Sequence, residues 1–101
     1  MEQVLVRAQA QVSSVAQSIA SKLQEFKEIE VSAMGPEANN NAVKGLAAAK
    51  ELLKCDFPCF ISFRTVDTGN GRRTTMIYRA VLQSGTSGNM DQVAPTQSGA
   101  K

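Results

Sequence analysis

The sequence of 101 residues has no histidine, no tryptophan, two cysteines and few aromatic side chains, which make up 5% of the chain. Because histidine is absent, Cys55 and Cys59 cannot complete a four-ligand zinc site of cysteine and histidine within one chain. A free cysteine otherwise behaves as a small hydrophobe, so we expect two buried or half-buried thiols. The sequence therefore predicts no metal and no other cofactor.

The patterns that usually accompany catalysis are missing as well. The sequence contains no nucleophile elbow and no glycine-rich phosphate loop. Its carboxylates are spread along predicted helices and loops, whereas acid–base chemistry needs them brought together at one site. We therefore predict that the protein is not an enzyme and expect no small-molecule substrate.

Long apolar runs and a strong excess of either charge are also lacking. No run approaches the length that spans a bilayer, and the N-terminus does not have the layout of a secretory signal, so we expect a cytoplasmic or nucleoid-associated protein without a membrane partner. Eleven lysines and arginines against nine acidic residues give a formal net charge of +2. Binding to nucleic acid would therefore depend on where the basic residues are placed.

What the chain does contain is enough apolar material for one compact domain. The hydrophobic content is 43%, and 101 residues are too few for two domains. From Gln83 onward the composition changes to serine, glycine, threonine, glutamine, asparagine and proline, which cannot bury enough surface to offset the entropy of ordering. We expect a domain over residues 1–82 and a flexible tail over residues 83–101.

The clearest local signal is a strand followed at once by a helix. Residues 29–34 alternate as in a half-buried strand, and beyond Gly35 the period becomes helical. Gly35 suits the N-cap and Pro36 the first helical position, where a missing N–H costs nothing. The apolar stripe of this helix is made of small residues up to Ala49, so we expect it to lie close to the sheet. It should end near Leu53 or Lys54.

The other predicted elements follow from the same periodicities. Apolar residues at helical spacing from Val12 to Phe26 predict a helix. Ser14 and Gln17 match a capping box, although Ser13 could cap the helix equally well. An Asn70-Gly71 pair indicates a hairpin turn. The predicted strands cover residues 3–8, 29–34, 59–66 and 74–82.

This order predicts an α/β two-layer sandwich, β-α-β-α-β-β, with a mixed four-stranded sheet. Right-handed crossovers place both helices on one face, and the strand order is then 1-2-4-3 or 1-2-3-4. The other face would carry no helix and would expose either Ile77 and Val81 or the opposite set of side chains. We expect that face to serve as a dimer or ligand surface.

The residues around the predicted strand–helix turn resemble those of a known family. The run Ala33-Met34-Gly35, followed by Ala38, Asn40 and Ala42-Val43-Lys44, closely resembles the stage V sporulation protein S family of spore-forming bacteria. The span from Val4 to Leu82 is similar, in topology, to the Alba superfamily of DNA- and RNA-binding proteins. The resemblance implies an Alba-like fold and a homodimer that contacts the phosphates of RNA or DNA with little sequence specificity. The sporulation family implies a regulatory role.

The resemblance also indicates which residues would contact nucleic acid. Arg72 and Arg73, next to the predicted turn, match the hairpin that Alba proteins direct into the minor groove. On the second helix, Lys44 remains as a basic residue for the binding side, and the amide of Asn40 could hydrogen-bond bases or phosphates. The connector that carries paired lysines in Alba proteins has the neutral Gln9 and Gln11 here, which leaves hydrogen bonding as their role.

Each of these residues also has a purely structural interpretation. Two arginines at a hairpin tip can simply be solvated and keep a strand edge from pairing. Asparagines 39–41 can cap backbone amides of the helix. Phe60 and Tyr78 could stack on bases, but core packing is the interpretation we favour for both. With Glu37 beside the helix N-terminus, the alternative function is a developmental or regulatory protein–protein interaction module without nucleic-acid binding.

Overall fold

Four strands and two helices make up the part of the chain that the computed structural model describes, residues 1–82. The predicted tail, residues 83–101, lies outside the described residues. The element order is the predicted β-α-β-α-β-β. The elements are β1 (Glu2–Val6), α1 (Val12–Phe26), β2 (Glu28–Met34), α2 (Pro36–Leu53), β3 (Cys59–Thr68) and β4 (Gly71–Val81).

The sheet has four strands in the order β1-β2-β4-β3, so β4 inserts between β2 and β3. This is one of the two predicted orders. β1 pairs with β2 in parallel, while β4 is antiparallel to both of its neighbours. A mixed sheet results, and the predicted fold class is confirmed.

The core lies between the two helices and the β1–β2 side of the sheet. The largest side chains that are completely buried come from α1 and β2, and they are Ile19, Leu23, Ile29 and Val31. Both helices contact β1 and β2. The strand β3 extends beyond their cover, and nine of its ten residues are exposed.

The small residues of α2 permit its closest approach to α1, where we had expected the sheet. A Cβ atom added at Gly45 would overlap the Cγ1 atom of Val15 and would lie 3.1 Å from the Cβ atom of Val15. Only glycine fits this contact without a shift of the neighbouring helix. Gly45 therefore sets the distance between the two helices.

The helix ends follow the predicted chemistry at α2 but not at α1. Gly35 has a φ of 91° and is the N-cap of α2, with Pro36 in the first turn. The expected capping box at Ser14 is wrong, because α1 already begins at Val12 and its N-cap, Gln11, makes no side-chain capping bond. Val12 belongs to the apolar face of α1, so packing rather than capping decides where the helix begins.

The expected exposure of Ile77 on the helix-free face is wrong. Ile77 is only 4% exposed, and it lies in an interior strand between Ser32 and Ser62 of the neighbouring strands. Leu5 and Phe60, on the same face, are exposed. Tyr78, on the opposite side of β4, is also buried. The large exposed apolar residues of the sheet lie mainly on β3 instead, where they are Phe60, Ile61 and Phe63.

Candidate nucleic-acid interface

The hairpin of β3 and β4 projects past the rest of the sheet. The last residue of β4 that pairs with β2 is Thr75, opposite Met34. Beyond it, residues 71–74 pair only with residues 65–68. We call this two-stranded segment, residues 65–74, the ribbon. At the rise of an extended strand, it carries the turn on the order of 13 Å beyond the sheet.

The tip of the ribbon is a tight turn tied by hydrogen bonds. Thr68 Oγ1 donates to the carbonyl oxygen of Gly71 at 2.7 Å and accepts from the backbone N–H of Asn70 at 3.2 Å. Thr68 and Gly71 are the last paired residues, so the loop is Gly69-Asn70, one residue earlier than the predicted Asn70-Gly71. The φ of Gly71 is 120°, a value that L side chains rarely adopt.

Arg72 and Arg73 lie side by side on the ribbon but on its two opposite faces, because successive strand residues alternate. Both are exposed. Arg72 Nε lies 3.5 Å from Asp67 Oδ1, an exposed ion pair of the kind that contributes little to stability. Among the described residues, Arg73 has no carboxylate within ion-pair distance. The two guanidinium groups can therefore reach anions on both sides of the ribbon.

The remaining predicted residues lie at the same end of the sheet as the ribbon, on other elements. β1 and β2 are parallel, so the connector after β1 and the turn into α2 share one edge. Gln9 and Gln11 are exposed on that connector, and Asn40 is exposed in the first turns of α2. Lys44 is also exposed, one turn farther along α2. The topology thus places the ribbon, Gln9, Gln11 and Asn40 at one end of the sheet, while Lys44 lies toward the middle of α2.

The three consecutive asparagines divide into two structural residues and one free one. Asn39 Nδ2 donates to the carbonyl of Gly35 at 2.8 Å, and its Oδ1 accepts from the Tyr78 hydroxyl at 2.7 Å. Asn41 Nδ2 donates to the carbonyl of Ala8 at 3.0 Å and so attaches the β1–α1 connector to α2. The expected capping of helix amides is therefore wrong for both, since their amides bind carbonyl groups. Asn40 makes no side-chain hydrogen bond within residues 1–82 and remains available.

Two basic residues of this region escaped the sequence analysis. Arg7 is exposed directly after β1, and Arg64 is exposed on β3, opposite Thr75. The strand alternation places Arg64 on the same face of the hairpin as Arg73. The register of β3 against β4 would have revealed Arg64, but that register cannot be read from either strand alone.

Cys55 is half-buried as expected, but the expectation is wrong for Cys59, which is exposed at the start of β3. Burial raises the pKa of the Tyr78 hydroxyl, and desolvation raises the pKa of the Cys59 thiol, which favours its protonated and less nucleophilic form. Within residues 1–82, histidine, cysteine and acidic residues form no group of three or more suited to hold a metal ion. None of the helices in that span is long and apolar enough to cross a membrane.

Comparison with known proteins agrees with this architecture. The family model described as Stage V sporulation protein S matches residues 2–83 of the chain. Among solved structures, the fold is similar to Alba from Thermoplasma volcanium, with a TM-score of 0.59 and 9% identity over 79% of this chain and 99% of that one. At this identity, the similarity concerns the fold alone. No curated protein matches the sequence.

Proposed function

The chain belongs to the stage V sporulation protein S family, and from that premise we propose that it is a small, dimeric and regulatory nucleic-acid-binding protein of the cytoplasm. It binds RNA or DNA with little sequence specificity, through contacts to phosphates, and it is not an enzyme. The observation that carries this proposal is the projecting ribbon with Arg72 and Arg73 on its opposite faces.

The chemistry of the ribbon favours phosphates over base edges. Guanidinium groups bind phosphate oxygens in a bidentate fashion, and phosphate contacts supply most of the affinity of weakly specific binders. Asp67 neutralises Arg72 only through a solvent-exposed pair at 3.5 Å, which an incoming phosphate can replace. The formal net charge of +2 is small, so the placement of these arginines matters more than the total charge.

The N-terminal end of α2 makes a weaker, second contact region. Asn40, together with Gln9 and Gln11, supplies uncharged hydrogen-bond donors there, and Lys44 supplies a positive charge one turn farther along α2. Glu37 lies in the first turn of α2, where its carboxylate competes with a phosphate for the positive end of the helix. We therefore assign most of the affinity to the ribbon.

Exposed apolar side chains on the helix-bearing side of β3 support the proposed dimer. Ile61 and Phe63 are 55% and 67% exposed, and their partners in the sheet are Tyr78 and Met76. Val43 is also exposed, and it lies one helical turn after Asn39, which accepts a hydrogen bond from Tyr78. We call these three exposed side chains, Val43, Ile61 and Phe63, the apolar corner. A second copy of the chain would bury the corner and double the number of arginine ribbons per particle.

The substitution Phe63→Asp tests the dimer. It places a charge in the apolar corner, so the protein should become monomeric by light scattering, while Phe60→Asp on the opposite face of β3 should leave the dimer intact. A wild-type monomer, or a dimer that tolerates Phe63→Asp, would contradict this assignment.

Nucleic-acid binding is tested by anisotropy titrations with mixed-sequence RNA and duplex DNA at two salt concentrations. The R72A/R73A variant should bind both at least tenfold more weakly at low salt. The K22A/K50A variant removes the same charge from α1 and from the far part of α2, and it should bind nearly as wild type does. Equal losses in the two variants would mean that only the net charge matters.

A protein–protein interaction module is the second candidate function, and the apolar corner favours it. Exposed large apolar residues on one side of a small domain are typical of protein interfaces. Under this alternative, the wild-type protein binds neither RNA nor duplex DNA at low salt. Such a result would favour a regulatory role in which a protein partner binds the apolar corner.

A further inference from the structure

Phe60 lies on the helix-free face of the sheet and is 53% exposed. Its neighbour Cys59 pairs with Ala80, a residue of the core beneath the helices, so the alternation of β3 places Phe60 on the other side. Core packing, which we favoured from the sequence, is therefore wrong for Phe60. It is correct for Tyr78, which is 4% exposed.

The ring of Phe60 is held in place from one side. Arg79, directly opposite on β4, places its guanidinium carbon 4.9 Å from the ring centroid, within the range of a cation–π contact. Arg79 Nη1 in turn donates to a carboxylate oxygen of Glu28 on β2. A chain of contacts from Glu28 through Arg79 thus orients the ring, while about half of the residue stays in contact with water.

The side chains nearest the ring do not project above the sheet, and the surface becomes basic toward the ribbon. The neighbouring row across the sheet consists of Leu5, Ser32, Ile77 and Ser62. The two members of this row on β3 and β4, Ser62 and Ile77, are small or buried, and the exposed Leu5 is on β1, at the other edge of the sheet. Farther along the same face lie Arg64 and Arg73. Among the described residues, neither has a carboxylate within ion-pair distance.

The acidic residues of this face lie away from that path. Glu28 and Glu30 are on β2, and both are beside Arg79, whose direct partner on β2 is Glu30. These carboxylates compensate the charge of Arg79, so Arg79 positions the ring and contributes little to phosphate binding. The uncompensated positive charge of the face is on β3 and β4, between the ring and the tip of the ribbon.

We propose that the helix-free face is a stacking platform for single-stranded nucleic acid, on which an unpaired base stacks on Phe60 while flanking phosphates contact Arg64 and Arg73. The proposal rests on the proposed function and deepens it, because it names the single-stranded form as the preferred ligand. Exposed aromatic rings on a sheet bind unpaired bases, whose faces are free, whereas the faces of paired bases are stacked inside a duplex. Uncompensated arginines favour this polyanion over a second copy of a chain that is itself basic.

The sequence offers a direct spectroscopic test, because it contains no tryptophan. Phe60→Trp introduces a single indole on the platform, and Phe63→Trp introduces one on the opposite face of the same strand. We expect oligouridine and oligoadenine to quench the fluorescence of Phe60→Trp strongly and that of Phe63→Trp weakly. Blunt-ended duplex DNA should quench neither.

Affinity measurements separate this proposal from the proposed function. Phe60→Ala should weaken single-stranded RNA binding about 5- to 100-fold, as expected for one lost stacking contact, and Phe60→Tyr should restore it. Duplex DNA binding should not change in either variant. R72A/R73A should weaken the binding of both ligands. Far-ultraviolet circular dichroism of each variant reports that the fold is retained.

Three outcomes would overturn the platform. If RNA binds but leaves Phe60→Trp unquenched, the face is not the contact, and the proposed function stands. If the fluorescence of Phe60→Trp changes with protein concentration and not with RNA, the face is an interface between copies of the chain. If neither RNA nor duplex DNA binds at low salt, the platform and the proposed function both fail.

Discussion

The two halves of the sheet differ in what covers them. β1 and β2 lie beneath the helices, and their inward residues are buried, whereas β3 exposes nearly every residue on both faces. The first half holds the domain together, so its residues are constrained by packing. β3 and the ribbon contribute little burial, and this leaves their arginines, phenylalanines and isoleucine free to contact other molecules. Stability and binding are thus assigned to different parts of one sheet.

The sharpest test of this division makes the same substitution in both halves. Ile29 on β2 is completely buried, and Ile61 on β3 is 55% exposed. Ile29→Ala should lower the free energy of unfolding by about 2–5 kcal/mol, because it removes buried methyl groups and leaves a cavity. Ile61→Ala should change it by less than about 0.5 kcal/mol. Urea denaturation at low protein concentration measures both, and equal losses would contradict the comparison.

A second test addresses the glycine that sets the helix distance. Gly45→Ala adds a methyl group where Val15 already lies, and it should cost about 1–3 kcal/mol through overpacking. Gly69→Ala at the ribbon tip is the matched control, since a Cβ atom there meets nothing within 4 Å. Thermal unfolding compares the two variants. If both were neutral, the helices would not be in close contact at Gly45.

The smallest effect concerns the hydrogen bond between β4 and α2. Tyr78→Phe removes the hydroxyl that donates to Asn39, and it should cost about 0.5–1.5 kcal/mol at neutral pH. Burial raises the pKa of this hydroxyl in the folded protein. As pH rises, the unfolded chain ionises first, so the contribution of Tyr78 is complete below about pH 10 and is lost as the pH rises through the folded-state pKa.

The alkaline side of this prediction can be measured directly. Tyr78 is the only tyrosine of the chain, so tyrosinate absorbance reports its ionisation alone. Stability above pH 10 should fall more steeply in the wild type than in Tyr78→Phe. Parallel pH profiles for the two proteins would show that the hydroxyl is not buried in solution.

The sequence best predicts those elements that pack against the rest of the domain on one side only, because that side gives a regular pattern of apolar residues. The apolar residues from Val12 to Phe26 predict a helix that ends where α1 ends, because its buried residues recur at helical spacing, but the predicted cap at Ser14 lies inside the helix. The turn at Gly35 and Pro36 was equally readable, since those residues have few other uses at a strand–helix junction. The sequence is compatible with two strand orders, and only the pairing of β4 with β2 and β3 distinguishes them.

The features that the sequence did not reveal depend on contacts between distant residues. An alternating strand looks the same whether or not a helix covers it, so the sequence favours core packing for Phe60, whereas the structure of residues 1–82 leaves it 53% exposed. The overlap between Gly45 and Val15 requires two helices to be placed side by side. The pairing of Arg64 with Thr75, which brings Arg64 onto the face of Arg73, depends on the length of the hairpin loop.

The salt dependence of duplex DNA affinity tests the central claim, that the ribbon is the polynucleotide-binding element, most directly. The slope of log K against log salt counts the phosphates that the protein neutralises, at about 0.9 per phosphate. If each arginine neutralises one phosphate, R72A/R73A should lower the magnitude of the slope by about 1.8 per bound protomer, and K22A/K50A should leave it unchanged. A slope that is the same in R72A/R73A and in the wild type would contradict the claim.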